Sequence, residues 1–516
     1  NLCLLCFYVF QHLHALFVKN SVICGKIFCM IKPILFSLFN FVSFVFSMLS
    51  AQSPLENTIQ FFANDPMIRH GQLGVCVADA ATGQLLASHN AQMTLMPASN
   101  MKIVTTAAAL QLLGKNYRFK TELQYDGTLK DSILTGNIYI KGYGDPTLGS
   151  PEMMDSVQSF SSILDVFALK IKDLGIKKII GKIVGDGTAF APDTAEPTWL
   201  YEDLANYYAA GANGLNLHEN LYYLRLYPAM TENMKPSILS VTPDVPGLQL
   251  VNDALSKLKV EEDPYLVGIP YSNQVSIKGG ISMSSADMTI KGAVPDPPYF
   301  AAWQLHRRLK WMNIDITDSV ANQLQLKLDT STKRTVFYTH YSPTLAKIVV
   351  PANQESINLY CEAMMKAIAF EKTGMGSTEN GTKLILQFWR EKGIDIDGLL
   401  MMDGSGLSPR NGITPLQLVT ILRTIKKDSL IFPTIFESFP RAGESGTMRN
   451  MMKKTDAIGR LRAKSGTLTR VKCYSGYVTT LSGKQVVFSA MTNNFTGTQR
   501  EIRKKLEQLM IEICRL

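Results

Sequence analysis

The sequence predicts an α+β fold in which one domain is split by a long insertion. Three observations carry this reading: a strand hairpin followed by a helix near the start, a β-rich middle, and a return to helices that ends in strands and a last helix. At 516 residues the chain is too long for one ordinary core. With 46% hydrophobic and 18% charged residues it is globular rather than disordered.

Taken in chain order, "MIKPILFSLFNFVSFVFSMLSAQSP" carries a start methionine, one lysine, an apolar run and small residues before Gln52. This predicts a signal peptide over 30–51, cleaved near Ala51 and Gln52, with 1–29 as an upstream non-mature segment. The apolar run 34–49 is shorter than the roughly 20 residues a membrane span needs, which argues against an anchor. "LGVCVADAATGQLLASHN" alternates about a Gly-containing turn and reads as a hairpin. "LMPASNMKIVTTAAALQLLG" then reads as a helix.

From Thr121 the texture changes to short strands and turns, with one helix at 161–174. Helices resume in "DPPYFAAWQLHRRLKWMNI", "INLYCEAMMKAIAFEKTG" and "NGTKLILQFWREKGI". "AKSGTLTRVKCYSGYVTTLSGKQVVFSAMTNN" predicts two or three antiparallel strands. In the last helix Ile502, Leu506, Leu509 and Ile513 form one stripe. Its polar face mixes acids with bases, which predicts packing on the sheet rather than on a membrane surface. The expected catalytic domain is therefore 53–122 with 300–516, and 123–299 is a β-rich inserted region of two subdomains.

The net charge of +9 is spread thinly, so no nucleic-acid partner is expected, while an anionic polymer or envelope is compatible with it. Beyond residue 29 the cysteines are Cys76, Cys361, Cys473 and Cys514, without a CxxC or CxxH pattern, and no metal site follows. Each lies in an apolar run where a buried thiol is the common explanation, although an oxidising compartment would permit one pair to join.

One lysine is out of place. Lys102 falls in the first turn of the helix after Pro97, where unpaired N–H groups disfavour a cation. Ser99 sits three residues earlier, on the same face. A dipole and an apolar setting that lower the lysine pKa would make its neutral amine a base for the serine hydroxyl. Ser-x-x-Lys arises about twice by chance in a chain of this length. It recurs here at Ser256 and Lys259, on a lysine-rich segment read as solvated and given no role.

Ser-x-x-Lys, Ser-x-Asn and Lys-Thr/Ser-Gly in that order form the signature of penicillin-recognising serine enzymes. Ser356 and Asn358 supply the second element, on a loop before a helix, where the alternative for Ser356 is a helix cap. Two segments compete for the third. Lys372, Thr373 and Gly374 end a helix, and local structure explains them. Lys464, Ser465 and Gly466, followed by Thr467, lie on a strand where glycine permits close approach, and these are taken as the motif. Asp403, Ser405 and Arg410 in "MDGSGLSPRN" read as a Gly-rich turn before direct substrate contact.

With these motifs, and with "GYGDPTL", "WLYEDLANYYAAGANGLNLHEN", "PDPPYFAAWQL" and "YTHYSPTLAKIV", the chain resembles the class C low-molecular-mass penicillin-binding proteins over roughly residues 56–494. Ile357 and Ser465 stand where that family commonly has Asp and Thr. The resemblance implies a penicillin-recognising (β-lactamase/transpeptidase-like) domain, an antiparallel sheet flanked by helices. It implies a serine D-Ala-D-Ala carboxypeptidase or endopeptidase, with Ser99 as nucleophile, Lys102 as base and Ser356 as proton relay. It further implies that Asn358, Lys464, Ser465, Gly466 and Thr467 bind substrate, with no metal or organic cofactor. The implied partners are peptidoglycan stem peptides, with β-lactam antibiotics as covalent inhibitors and a periplasmic location. Self-association into a homodimer is a further candidate. A β-lactamase or esterase with the same machinery, and an idle cell-wall binder, are the competing expectations.

Overall fold

A computed structural model describes residues 53–153, 159–260, 263–326 and 333–516. The expected signal peptide over 30–51 and the segment 1–29 lie outside the described residues. Among the described residues no helix is long and apolar enough to cross a membrane.

Alternating residues make the first hairpin, β1 (Gln72–Asp79) and β2 (Leu85–His89). Helix α1 (Met101–Leu112) follows. Its residues from Met101 to Leu110 are all buried, so this helix is central, and its small apolar side chains suit packing on every side.

The chain then enters the middle block through β3 (Lys120–Tyr125), β4 (Ile138–Gly142), α2 (Phe160–Asp173) and β5 (Ile183–Asp186). A smaller antiparallel sheet follows, with β6 (Leu221–Tyr227) between β7 (Ser237–Thr242) and β8 (Met288–Ala293). Helix α3 (Pro297–Trp311), capped by Asp296, packs on β5 and on α2. Two further strands, β9 (Ala321–Asn322) and β10 (Thr335–Tyr341), complete a five-stranded sheet in the order β9-β5-β4-β3-β10.

This sheet runs past residue 299, where the sequence reading ended the insertion. The reason is topological. Outgoing β3 and returning β10 are antiparallel neighbours, with Lys120 opposite Tyr341, so the block leaves and rejoins the main body at one place. Its core runs from Leu123 to Val320, with Phe337 and Tyr338 packed against it.

After β10 come α4 (Leu345–Gln354), α5 (Asn358–Thr373), α6 (Thr378–Glu391) and α7 (Pro415–Lys427). Strands β11 (Leu461–Leu468), β12 (Val471–Thr479) and β13 (Gln485–Asn493) then join the first hairpin in the antiparallel order β2-β1-β13-β12-β11. The first and last parts of the chain thus share one sheet, and β11 is its edge. Helix α7 packs on β1 and β13, and α8 (Gln499–Cys514) packs on β12. Ile502, Leu506, Leu509 and Ile513 are all fully buried, as the stripe predicts. Cys76, Cys361, Cys473 and Cys514 are buried free thiols.

Candidate active site

Three elements meet at one point: the N-terminal turn of α1, the start of α5 and the edge strand β11. Ser99 lies in a 3₁₀ turn, Ala98–Asn100, that leads into α1. Ala98 holds φ +47°, a left-handed conformation that costs an L-residue roughly 1–2 kcal/mol and persists only where the surroundings impose it. The surroundings are specific. Asn493 grips the backbone of Met96 from both sides, its Oδ1 accepting from Met96 N at 2.7 Å and its Nδ2 donating to Met96 O at 3.1 Å. Asn100 Nδ2 donates to Ser475 Oγ at 3.0 Å. A Cβ on Gly466 would lie 2.5 Å from Pro97 O and 3.1 Å from Ser99 N, so only glycine lets β11 close on this turn.

Lys102, one turn on from Ser99, is fully buried. Its Nζ lies 3.2 Å from Ser99 Oγ, 2.5 Å from Asn358 Oδ1 and 2.8 Å from the Ser405 carbonyl. The Asn358 amide is oriented by its other end, where Nδ2 donates to Tyr208 O at 2.6 Å. Burial holds the Lys102 amine below the ordinary lysine range, against the opposing pull of the Glu362 and Asp403 carboxylates.

Ser356 occupies the turn before α5 with φ +61°. Its hydroxyl does not cap the helix, whose cap position is Ile357. Lys464 Nζ donates to it instead at 2.9 Å, and also to Ser465 O at 2.9 Å. Lys464 is fully buried, and burial, followed by the nearby Lys102, pushes its amine well below the usual range. Ser465 Oγ donates to Thr447 Oγ1 at 2.8 Å, and Thr467 Oγ1 accepts from Lys472 Nζ at 2.6 Å. A cavity of ≈ 430 Å³ opens over Ser99, Ser356, Asn358, Ser465 and Thr467. All eight residues predicted from sequence therefore fall on the three elements that meet here.

The "MDGSGLSPRN" loop works as a scaffold. Asp403 Oδ1 accepts from Gly406 N and Asn411 Nδ2, and Oδ2 accepts from Ser408 N and the Trp199 indole at 2.9 Å. Glu362 accepts from Gly404 N at 3.0 Å and Ser405 N at 2.7 Å, which turns the Ser405 carbonyl onto Lys102. Arg410 is exposed. Glu362 was absent from the sequence reading, yet it had a signal: an acid in an apolar helix, four residues after Asn358 and so on its face. Asn493 and Asn100 had none, because their partners are remote in sequence. The decoy serine, Ser256, is buried rather than solvated, since the Ala229 N–H donates to its hydroxyl at 2.8 Å; Lys259 is exposed.

Residues 55–513 match the D-Ala-D-Ala carboxypeptidase 3 (S13) family. The chain belongs to that family. It is 28% identical over 462 residues to the D-alanyl-D-alanine carboxypeptidase of Actinomadura sp. (strain R39), covering 86% of this chain and 81% of that one. Its fold is similar to the crystal structure of penicillin binding protein 4 from Haemophilus influenzae, with a TM-score of 0.76 at 22% identity over 90% of this chain and 100% of the other. The same Haemophilus protein complexed with a β-lactam gives a TM-score of 0.72 at 23% identity, covering 89% of this chain and 98% of the other. The enzyme is a serine-type D-Ala-D-Ala peptidase of this family, with the α+β penicillin-recognising fold.

Proposed function

We propose that Ser99 is the nucleophile of this S13 enzyme and that neutral Lys102 is its base. The observation that carries the assignment is the set of partners around Lys102 Nζ. Asn358 Oδ1 and the Ser405 carbonyl can only accept, so they take the two N–H groups of a neutral amine. The remaining lone pair then faces Ser99 Oγ, 3.2 Å away, and can receive its proton.

In the reaction the Ser99 oxygen bonds to the D-Ala carbonyl carbon and the C–N bond to the leaving amine breaks. Lys102 takes the hydroxyl proton, Ser356, held by Lys464, gives its own proton to the departing nitrogen, and the proton taken up by Lys102 replaces it. Asn358 hydrogen-bonds the substrate amide, and the peptide lies along β11 at Ser465, Gly466 and Thr467. The N–H groups of Ser99 and Thr467 form the oxyanion hole, each donor of such a pair being worth about 2.7–4 kcal/mol. Lys464 meets the terminal carboxylate, whose negative charge opposes the depression of its amine by burial, Lys102 and Lys472 in the free enzyme. Water then hydrolyses the acyl-enzyme.

The substrates are stem peptides ending in D-Ala-D-Ala and the cross-links between two stems, and β-lactams acylate the same serine. The enzyme works outside the cytoplasm after removal of a signal peptide. Incubation with a fluorescent penicillin followed by intact-mass analysis tests this: one adduct per chain is expected, and none in Ser99→Ala. An unlabelled wild type would defeat the reading.

A further inference from the structure

A second cavity, of ≈ 530 Å³, adjoins the first and shares Tyr207, Tyr208, Glu355, Ser356 and Asn358 with it. Its far wall belongs to the middle block and contains Glu219 and Lys291. Glu219 is only 5% exposed. Its Oε1 accepts from Ser150 Oγ at 2.5 Å and from the Tyr360 hydroxyl at 2.9 Å, while among the described residues nothing donates to Oε2. A buried carboxylate with one oxygen secured and the other unbonded on a cavity wall is set for an N–H donor that the protein does not supply. The backbone that presents it is unusual. His218, Glu219 and Asn220 are three successive left-handed residues, at φ 56°, 56° and 55°. They are held there by Asn220, whose Oδ1 accepts from Leu217 N and whose Nδ2 donates to Gly211 O. On the same wall Lys291 Nζ lies over the Tyr207 and Tyr223 rings, at 5.8 and 5.5 Å, and forms no ion pair among the described residues.

The two cavities meet at Ser356. If that hydroxyl hands the proton to the leaving nitrogen, as the proposed function has it, whatever is attached to that nitrogen extends past Ser356 into the second cavity. A carboxypeptidase releases a single D-Ala, which does not call for a chamber in the size range of a whole small-molecule site. We infer that the second cavity binds the amine-side peptide of a cross-link, with Glu219 Oε2 accepting an N–H of that peptide and Lys291 pairing with one of its carboxylates. The reaction is the one already described. The bond broken joins the D-Ala carbonyl to the side-chain amine of a second stem, and the proton goes to that amine.

This inference rests on the Ser99 reading, and one set of measurements separates the two. The full-length mature enzyme is given a monomeric pentapeptide stem and a cross-linked dimer of stems, with fluorescent penicillin labelling as the check on the folded site. Wild type is expected to cleave both. Glu219→Gln and Lys291→Ala are expected to lower the ratio of kcat/KM for dimer to kcat/KM for monomer by about tenfold, mainly through KM of the dimer, as loss of a charge-assisted bond would. Lys291 is half-buried on a strand, so its variant remains informative if Glu219→Gln fails to fold. An unchanged ratio in the labelled Lys291 variant overturns the inference. So does a labelled wild type that cleaves the monomer and leaves the dimer intact. A wild type that takes no penicillin overturns the Ser99 reading and this inference with it.

Discussion

Lys372-Thr373-Gly374 and Lys464-Ser465-Gly466 have nearly the same composition and opposite fates. The first is exposed at the end of α5, where Gly374 holds φ +79° and an added Cβ would meet nothing within 4 Å. The second is buried on β11, where an added Cβ on Gly466 would strike Pro97 O at 2.5 Å. One glycine is required for its backbone angle and the other for the space it leaves. Lys372 sits at the negative end of a helix, whereas Lys464 reaches Ser356. What separates them is the surface each is pressed against, so substitutions in the two segments are expected to divide cleanly between stability and chemistry.

The largest effect is expected for the lysines. Lys464→Ala removes the donor to Ser356, and the acylation rate with a fluorescent penicillin should fall about 10²–10⁴-fold, the range for a lost proton-transfer partner. Lys372→Ala should leave that rate within about twofold, since surface changes seldom reach further. Stopped-flow acylation of the two variants compares them directly, and equal losses would dissolve the contrast.

Gly466→Ala comes next. Its Cβ forces β11 away from the Ser99 turn, and a misplacement on the order of 1 Å costs about 100-fold in rate. The expected signature is slow acylation by a protein with an unchanged far-ultraviolet circular dichroism spectrum. An acylation rate equal to wild type would mean that β11 does not need this close approach.

How much of this was legible in the sequence follows the same division. Helices with strong periodicity, such as α6 and α8, are readable because a local pattern decides them. Ser99 and Lys102 are readable because a helix turn sets their separation. The choice between the two Lys-x-Gly segments was legible from a helix end on one side and strand alternation on the other. The return of β10 to β3 was not, since pairing across more than two hundred residues of chain leaves no local trace. Asn493 leaves none for a related reason: it acts on backbone groups, and any residue supplies those.

The pH dependence sharpens the comparison between a buried and an exposed lysine. Lys102 is depressed by burial, so its uncharged form persists at a lower pH than for a free lysine near 10.4. Below its own pKa the amine is protonated and cannot take the Ser99 proton, so the acylation rate should drop about tenfold per pH unit on the acid side. The midpoint of that limb is expected below 10.4, read from penicillin acylation between about pH 5 and 10. A limb at the ordinary lysine value would remove neutral Lys102 from the mechanism.

The smallest effect is expected at Gly374. Alanine there has room but must hold φ +79°, which costs an L-residue roughly 1–2 kcal/mol. Because the Gly374 N–H donates to Phe370 O at 2.8 Å, the helix end has a reason to keep that angle rather than relax out of it. The variant should therefore unfold at a slightly lower denaturant concentration while acylating at the wild-type rate, the inverse of Gly466→Ala. Should Gly374→Ala slow acylation instead, strain at the end of α5 would be reaching Asn358 at its start, and the two segments would not be independent.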